Sequence, residues 1–186
     1  MQLPKLIGIT GNKRHGKDTI ADHLCAQYGY IKYSYADNLK IGIGRVVFCL
    51  SDEQLYGDLK EVPDSRWDNR TPREILQYVG TNLLRNQFDA NIWVKSLFYT
   101  LAAKLADPNV RIVIPDIRFP NELQSLVDFA KANNHHMISI KVVRPSIICT
   151  DTHESERHIA TLQTDHTLVN DNTIEQLCKS VDELLI

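Results

Sequence analysis

Short apolar runs alternate along the chain with longer segments whose apolar residues recur at helical spacing. The apolar runs predict strands at 6–10, 31–35, 110–114, 137–143 and 167–169. The segments between them predict amphipathic helices. Strands joined through helices pair in parallel by right-handed crossovers. The pattern therefore predicts an α/β fold, a three-layer α/β/α sandwich around a mostly parallel five-stranded sheet.

The 186 residues fit a single domain over 1–186. Within it, we expect a helical insertion at about 51–106. The polar stretch 51–70 is interpreted either as an excursion over an active site or as a surface loop without function. Gly80 falls inside a predicted helix at a cost of about 1 kcal/mol, which indicates a close approach by a helix or ligand.

Composition narrows the function classes. Hydrophobic residues make up 43% and charged residues 24%, as in ordinary globular proteins, and the net charge of −2 argues against nucleic acid as a partner. We find no signal peptide or transmembrane span and expect no membrane partner. The four cysteines (Cys25, Cys49, Cys149 and Cys178) are scattered in apolar contexts, which predicts buried thiols and a cytoplasmic location.

The most informative stretch follows the first predicted strand and opens the first helix. Gly11 and Gly16 permit close backbone approach, and Lys17 follows directly. In this context the loop indicates a phosphate site, with backbone N–H groups and the helix N-terminus around a phosphate. The alternative is a polar loop that opens a helix, with Asp18 as a first-turn carboxylate. Lys13 and its neighbours add local positive charge that suits a small polyanion.

If this loop holds ATP, phosphoryl transfer also requires Mg²⁺ and groups that position the acceptor. Asp116 follows a buried strand, where it is either a metal-site carboxylate or a turn residue. Asp18 is either a second carboxylate near the metal or a helix cap. Guanidinium groups bind phosphates well, and arginines near predicted element ends are candidates, Arg73 and Arg118 above the others. The full arginine set is Arg73, Arg85, Arg118, Arg144 and Arg157, and His153 with Glu156 is a weak metal candidate.

Four motifs together resemble the bacteriophage deoxynucleoside monophosphate kinases over residues 6 to about 180. They are Gly-x-Lys-x-x-Gly-Lys-Asp-Thr at 11–19, Thr-Pro-Arg-Glu with Leu-Gln-x-x-Gly-Thr at 71–81, Asp-x-Arg-x-x-Asn-Glu at 116–122, and Asn-Asp-x-Thr at 170–173. The resemblance implies a P-loop nucleotide kinase fold. It also implies transfer of the γ-phosphate of ATP, with Mg²⁺, to a deoxynucleoside 5′-monophosphate, and leaves a homodimer open.

The resemblance also implies roles for individual residues. The catalytic group would be Lys17, Arg118 and Asp116, and the metal would be held by Asp18, Thr19 and Asp116. ATP would be bound by Arg14, His15, Gly16, Lys17, Asp18, Thr19 and Arg144. The acceptor would be bound by Lys13, Asp37, Lys40, Arg73, Gln77 and Arg118, with the insertion as the substrate-binding part. A short lid at about 144–165 would cover ATP. His15 and Asn172 depart from the family pattern without removing a charge.

Two other interpretations stay open at this point. Base recognition cannot be inferred from the residues, so another small-molecule kinase, phosphomevalonate kinase-like or dephospho-coenzyme A kinase-like, remains an alternative. A non-catalytic, regulatory nucleotide-binding protein with the same fold is the alternative from a different class, and the arginine set with Asp116 argues against it.

Overall fold

The computed structural model describes residues 3–148 and 154–185. Within them, five strands form one sheet with the order β2-β3-β1-β4-β5, and every pairing is parallel. The strands are β1 Leu6–Thr10, β2 Tyr30–Lys32, β3 Arg111–Ile117, β4 Met137–Val143 and β5 His166–Val169. The predicted fold class is confirmed.

Two strand ends differ from the prediction. The strand expected over 110–114 continues to Ile117, which places Asp116 inside β3. The strand expected over 31–35 ends at Lys32. Tyr33 still donates its N–H to the carbonyl of Val113 at 3.0 Å, and the side chain of Ser34 then bonds to Asp116. The chain therefore leaves the sheet after residue 33, where the Ser34–Asp116 hydrogen bond follows the last backbone hydrogen bond to β3.

Helices cover both faces of the sheet. Helices α1 (Lys17–Tyr28) and α7 (Ile174–Leu185) pack on the face that carries Ile7 and Ile9. On the opposite face, a Cβ built on Gly8 would lie 3.2 Å from Leu126 of α5 (Pro120–Ala132). Because both faces are buried, all five residues of β1 are apolar or small and buried.

The chain divides into two compact units. The first comprises Met1–Ser34 with Leu101–Ile186, and the second comprises Tyr35–Thr100, where the sequence predicted an insertion over about 51–106. The first unit carries the sheet together with α6 (Glu154–Arg157) and a 3₁₀-helix at His158–Thr161. Helix α4 covers Ile92–Leu105.

The second unit is helical. Two wide π-helices occupy Leu39–Val47 and Tyr78–Phe88, and the second of them continues α3 (Pro72–Gln77). The remaining elements are α2 at Asp52–Leu55 and 3₁₀-helices at Asp58–Glu61 and Ser65–Trp67. The first of these π-helices is wider than an ordinary α-helix. Hydrogen bonds five residues apart, such as Phe48 N–H to Ile43 carbonyl at 3.1 Å, widen it.

Gly80 has the close contact that its position predicted. A Cβ at Gly80 would lie 2.5 Å from Cδ2 of Leu39, within the same unit. The carbonyl of Gly80 also accepts a hydrogen bond of 3.0 Å from the indole N–H of Trp93. A side chain at residue 80 would push the two π-helices apart. The close packing against Leu39 therefore offsets the loss of helix stability that a glycine inside a helix causes.

The prediction of buried thiols was wrong for Cys49, which is exposed, while Cys25 and Cys178 are half-buried and Cys149 lies outside the described residues. Cys49 follows the C-cap of the first π-helix and has a left-handed φ of 51°. Among the described helices, none has the length and apolar character needed to cross a membrane.

Candidate active site

The loop between β1 and α1 has the backbone shape expected of a phosphate site. Gly11 has a φ of 146° and Gly16 a φ of 105°. A Cβ on Gly11 would lie 2.5 Å from the carbonyl oxygen of Val142 in β4, so only glycine fits there. Gly16 is the N-cap of α1, and no side chain in the described ranges caps this helix start. Its N–H groups are therefore available to an anion.

Lys17 lies beside these N–H groups and is only 8% exposed. Its ammonium group donates to the carbonyl of Asn12 at 2.8 Å. Burial, and then the positive charge of Arg118, lowers the pKa of Lys17 to about 8, and nearby carboxylates partly oppose the shift. A buried ammonium that lacks enough negative charge around it is suited to bind a phosphate.

Arg118 is held at the end of β3 by two carboxylates. Glu122 in the first turn of α5 accepts the N–H of Arg118 at 2.8 Å and that of Phe119 at 3.0 Å. The guanidinium group of Arg118 pairs through Nη1 with the buried Glu156. The backbone and the side chain of this arginine are thus fixed separately.

Asp116 is half-buried and accepts a hydrogen bond from the hydroxyl of Ser34. It is close enough to Lys17 to oppose the lowering of that lysine's pKa. The side chain of Asp18 is 80% exposed and lies 3.9 Å from the ammonium of Lys32. Asp18 also opposes the lowering of the Lys17 pKa, and its effect is larger than that of Asp116.

A cavity of about 230 Å³ opens beside the loop. It brings together most of the residues predicted to contact ATP. The lining is Arg14, Gly16, Lys17, Asp18, Thr19, Arg144, Asn170, Ile174 and Leu177. His15 is not among them. It is buried behind the loop, where Nδ1 lies 3.2 Å from both the Arg144 N–H and the Val142 carbonyl. Its contacts place it as a support of the loop.

The residues predicted for the acceptor are divided between the units. Lys13 and Arg118 belong to the first unit, and Asp37, Lys40, Arg73 and Gln77 belong to the second. In the second unit, Arg73 Nε lies 3.8 Å from Glu61, and the ammonium of Lys40 lies 4.7 Å above the ring of Tyr56. Gln77 and Asp37 are half-buried. Their acceptor role stays a prediction.

Similarity to known proteins identifies the family. A family model described as deoxynucleotide monophosphate kinase matches residues 49–181. A protein of Acanthamoeba polyphaga mimivirus that carries this name is 38% identical over 95% of this chain and 93% of its own length. The chain belongs to the deoxynucleotide monophosphate kinase family. The deoxynucleotide monophosphate kinase of Enterobacteria phage T4 is 24% identical, with 97% of this chain and 98% of the phage protein covered.

Two solved structures share the fold of this deoxynucleotide monophosphate kinase family member. One is a Chloroflexus aurantiacus protein described as a kinase, with a TM-score of 0.56, 16% identity and coverage of 100% and 97% of the two chains. The other is the dephospho-CoA kinase of Campylobacter jejuni, with a TM-score of 0.51, 14% identity and coverage of 97% of both chains. At these identities the likeness establishes the P-loop kinase fold alone.

The donor set of this family member fits Mg²⁺. Thr19 and Asp116 offer hydroxyl and carboxylate oxygens, which Mg²⁺ prefers together with phosphate oxygens and water. Throughout residues 3–148 and 154–185, no group of three or more His, Cys, Asp or Glu side chains could hold a metal ion. These few protein oxygens therefore fit a site in which the phosphates of a nucleotide supply some of the Mg²⁺ ligands better than a site in which the protein supplies all of them.

Two supporting residues belong to the motifs at 116–122 and 170–173, but the sequence predicted no role for either of them. Asn170 follows β5, and its side-chain amide donates to the carbonyl of His15 at 2.9 Å while its N–H donates to Val143 at 2.7 Å. It braces the phosphate loop of the kinase from behind. Glu122 is the other, and its position two residues after Pro120 was a detectable sign of a helix start.

Two further arginines considered in the sequence analysis do not line the cavity beside the phosphate loop. Arg85 is buried and donates to the carbonyl of Ala90 at 2.9 Å, so its contact is structural and it is not a surface charge. Arg157 is exposed. His153 lies outside the described residues, and its suggested metal partner Glu156 instead pairs with Arg118.

Proposed function

We propose that this family member transfers the γ-phosphate of ATP to a deoxynucleoside 5′-monophosphate and so supplies deoxynucleoside diphosphates for DNA precursors. The observation that carries the proposal is the uncapped start of α1 with the buried Lys17 beside it. This arrangement is built for a polyphosphate, and the family defines the acceptor. Because the loop precedes residue 49, it supports the assignment independently of the family model.

On the ATP side, the N–H groups of the loop and the ammonium of Lys17 bind phosphate oxygens. Bound Mg²⁺, held by Asp18, Thr19 and Asp116, would neutralise phosphate charge. Arg118 lies where a guanidinium can hold the moving phosphoryl group or the acceptor phosphate. Arg144 and Ile174 also line the cavity and bind the rest of the nucleotide.

On the acceptor side, Lys13 and Arg118 bind the monophosphate, and Arg73, Gln77, Lys40 and Asp37 of the second unit bind the nucleoside and its phosphate. These assignments rest on the family motifs. The role of segment 144–165 as a lid, a homodimeric state, the absence of nucleic-acid partners and a cytoplasmic site of action are proposed on the sequence.

A coupled ADP-release assay tests the reaction. The purified protein is given Mg·ATP with dGMP, dTMP, dCMP, dAMP, the ribonucleotides, phosphomevalonate or dephospho-coenzyme A. We expect turnover with at least one deoxynucleotide and none with the last two compounds. Turnover of phosphomevalonate or dephospho-coenzyme A alone, or of no acceptor at all, would contradict the proposal.

Lys17→Ala is the matched loss-of-function variant. We expect kcat/KM to fall by about 10²–10³-fold or more, since one charge-stabilising donor to the transition state is removed. Lys179→Ala is the control, because Lys179 is 75% exposed and pairs only loosely with Glu183 at 3.8 Å. Equal loss in both variants would point to general damage.

A further inference from the structure

Glu156 is a buried carboxylate that the reaction as described does not use. Its side chain is 1% exposed, although it belongs to the short helix α6 in a polar part of the sequence. A carboxylate is rarely buried to this degree without a partner of opposite charge. The burial of Glu156 therefore calls for partners that offset its charge.

The two oxygens of Glu156 contact two parts of the phosphate site. Oε1 pairs with Nη1 of Arg118, and Oε2 accepts the N–H of Lys13 at 3.4 Å. One residue thus links α6, the end of β3 and the phosphate loop. All three segments belong to the first unit.

The pairing leaves Arg118 able to bind a phosphate. A guanidinium group has five N–H donors, and the pair with Glu156 involves the Nη1 end. The side chain of Arg118 is 27% exposed, so a ligand can reach it. The pair with Glu156 fixes the direction of the guanidinium group and leaves its other N–H donors accessible to a ligand.

The charge balance gives a reason for the pair. Arg118 and Lys17 repel each other, as the lowered pKa of Lys17 indicates, and the charge of Glu156 opposes that effect. Without Glu156, two neighbouring cations would lie in a partly dehydrated site before any nucleotide is present. Arg118 would then be free to turn toward solvent.

We propose that Glu156 is a positioning residue, which holds Arg118 toward the phosphate loop so that its guanidinium meets the acceptor phosphate. The proposal rests on the proposed function, because it assigns Arg118 to the acceptor. It places the α6 segment, which is distant in sequence from the loop, among the parts that set acceptor affinity and rate.

Glu156→Gln tests the proposal, since it removes the charge and preserves the size. We expect kcat/KM for the deoxynucleotide to fall by at least about tenfold, as for other broken buried charge pairs, through a higher acceptor KM and a lower kcat. Glu154→Gln is the matched control on the same helix, because Glu154 is half-exposed and lies 3.5 Å from His158. Unchanged acceptor kinetics in Glu156→Gln would overturn the proposal.

A double variant separates positioning from a general effect on folding. If Glu156 acts through Arg118, Glu156→Gln adds little to the loss already caused by Arg118→Lys. Independent, multiplying losses would overturn the proposal. If Glu156→Gln does not fold, Glu156→Asp takes its place, because it retains the charge but shortens the reach to Arg118.

A second measurement does not depend on turnover. The rotation of the Arg118 guanidinium, followed by NMR and assigned through Arg118→Lys, should be slow in the parent chain and fast in Glu156→Gln, with Glu154→Gln like the parent. Rotation that is fast in the parent would refute the pairing. If no deoxynucleotide is turned over but the rotation behaves as expected, the proposed function fails while the pairing is retained.

Discussion

Two helix starts in this molecule are built in opposite ways. At α3, the Thr71 hydroxyl accepts the N–H of Glu74 at 3.2 Å, the Glu74 carboxylate accepts the N–H of Thr71 at 2.7 Å, and Pro72 occupies the first helical position. At α1, Gly16 has no side chain to offer, and its left-handed backbone directs the chain into the helix. The first arrangement satisfies its own N–H groups, and the second leaves them for a ligand.

A third helix start lies between these extremes. At α5, Glu122 accepts N–H groups from Arg118 and Phe119, so the cap also fixes the backbone of a proposed acceptor-binding residue. Side-chain capping stabilises the start of α3, and at α5 it also fixes the backbone of Arg118. The start of α1 has no such cap among the described residues. An uncapped start is therefore informative about function when capping residues are used elsewhere in the same chain.

The largest effect is expected from Gly16→Ala, which disrupts the open helix start. A Cβ there would lie 2.7 Å from the side-chain nitrogen of Asn170 and 3.0 Å from Leu177, at a φ of 105°. We expect a loss of about 3 kcal/mol in the free energy of unfolding, measured by denaturant titration, and loss of ATP binding.

Two other glycines separate the causes of that loss. Gly29 also has a positive φ of 68°, but among the described residues nothing lies within 4 Å of its Cβ position, so Gly29→Ala should cost about 1 kcal/mol. Gly42 has neither feature, and Gly42→Ala should be neutral or slightly stabilising. A cost at Gly16 no larger than at Gly29 would show that the contact with Asn170 is unimportant.

An intermediate effect is expected from pH, through Lys17. Only the ammonium form binds phosphate well, and the pKa of Lys17 is lowered to about 8 before the nucleotide arrives. ATP affinity should therefore be constant below that pH and fall by about tenfold per unit above it, as titration calorimetry from pH 7 to 9.5 can measure.

Lys17→Arg provides the control for the pH dependence, because a guanidinium stays charged over this range. Its ATP affinity should be weaker but flat with pH. A parent protein whose affinity is equally flat would mean that Lys17 is not the titrating group at the open helix start.

The smallest effect is expected from Thr71→Ala, at the closed helix start. Loss of the cap should lower the free energy of unfolding by about 1 kcal/mol, as observed by thermal or denaturant unfolding. The KM for ATP should not change, since this cap binds only its own helix. A marked rise in that KM would mean that capping at α3 also serves the ATP site.

Local features of the fold and site were predictable from the sequence. The glycines and lysine of the loop are adjacent in the chain, and the buried strands form continuous apolar runs, so both were correctly located. The capping box at Thr71 and Glu74 needs only the four adjacent residues Thr-Pro-Arg-Glu, which the sequence shows directly. Such patterns involve residues that are close together in the chain, so they can be recognised from the sequence alone.

Contacts between distant residues were not predictable in the same way. Glu156 looked like a weak metal candidate because nothing in its neighbourhood indicates Arg118, which lies 38 positions away. The burial of His15 depends on β4, since its ring contacts the carbonyl of Val142. The π-helices depend on side-chain packing, such as Leu39 against Gly80, which helical periodicity alone does not reveal.

The order of strands in the sheet has a consequence for how the chain acquires its shape during synthesis. Strand β1 lies between β3 and β4, so this strand, the earliest of the sheet in the chain, does not have both of its neighbours until residue 143 has been made. At 5–20 residues per second that wait lasts roughly 7 to 27 s. Until then at least one edge of the apolar segment Leu6–Thr10 has no strand to pair with, so the nascent chain carries an unpaired apolar edge that favours aggregation.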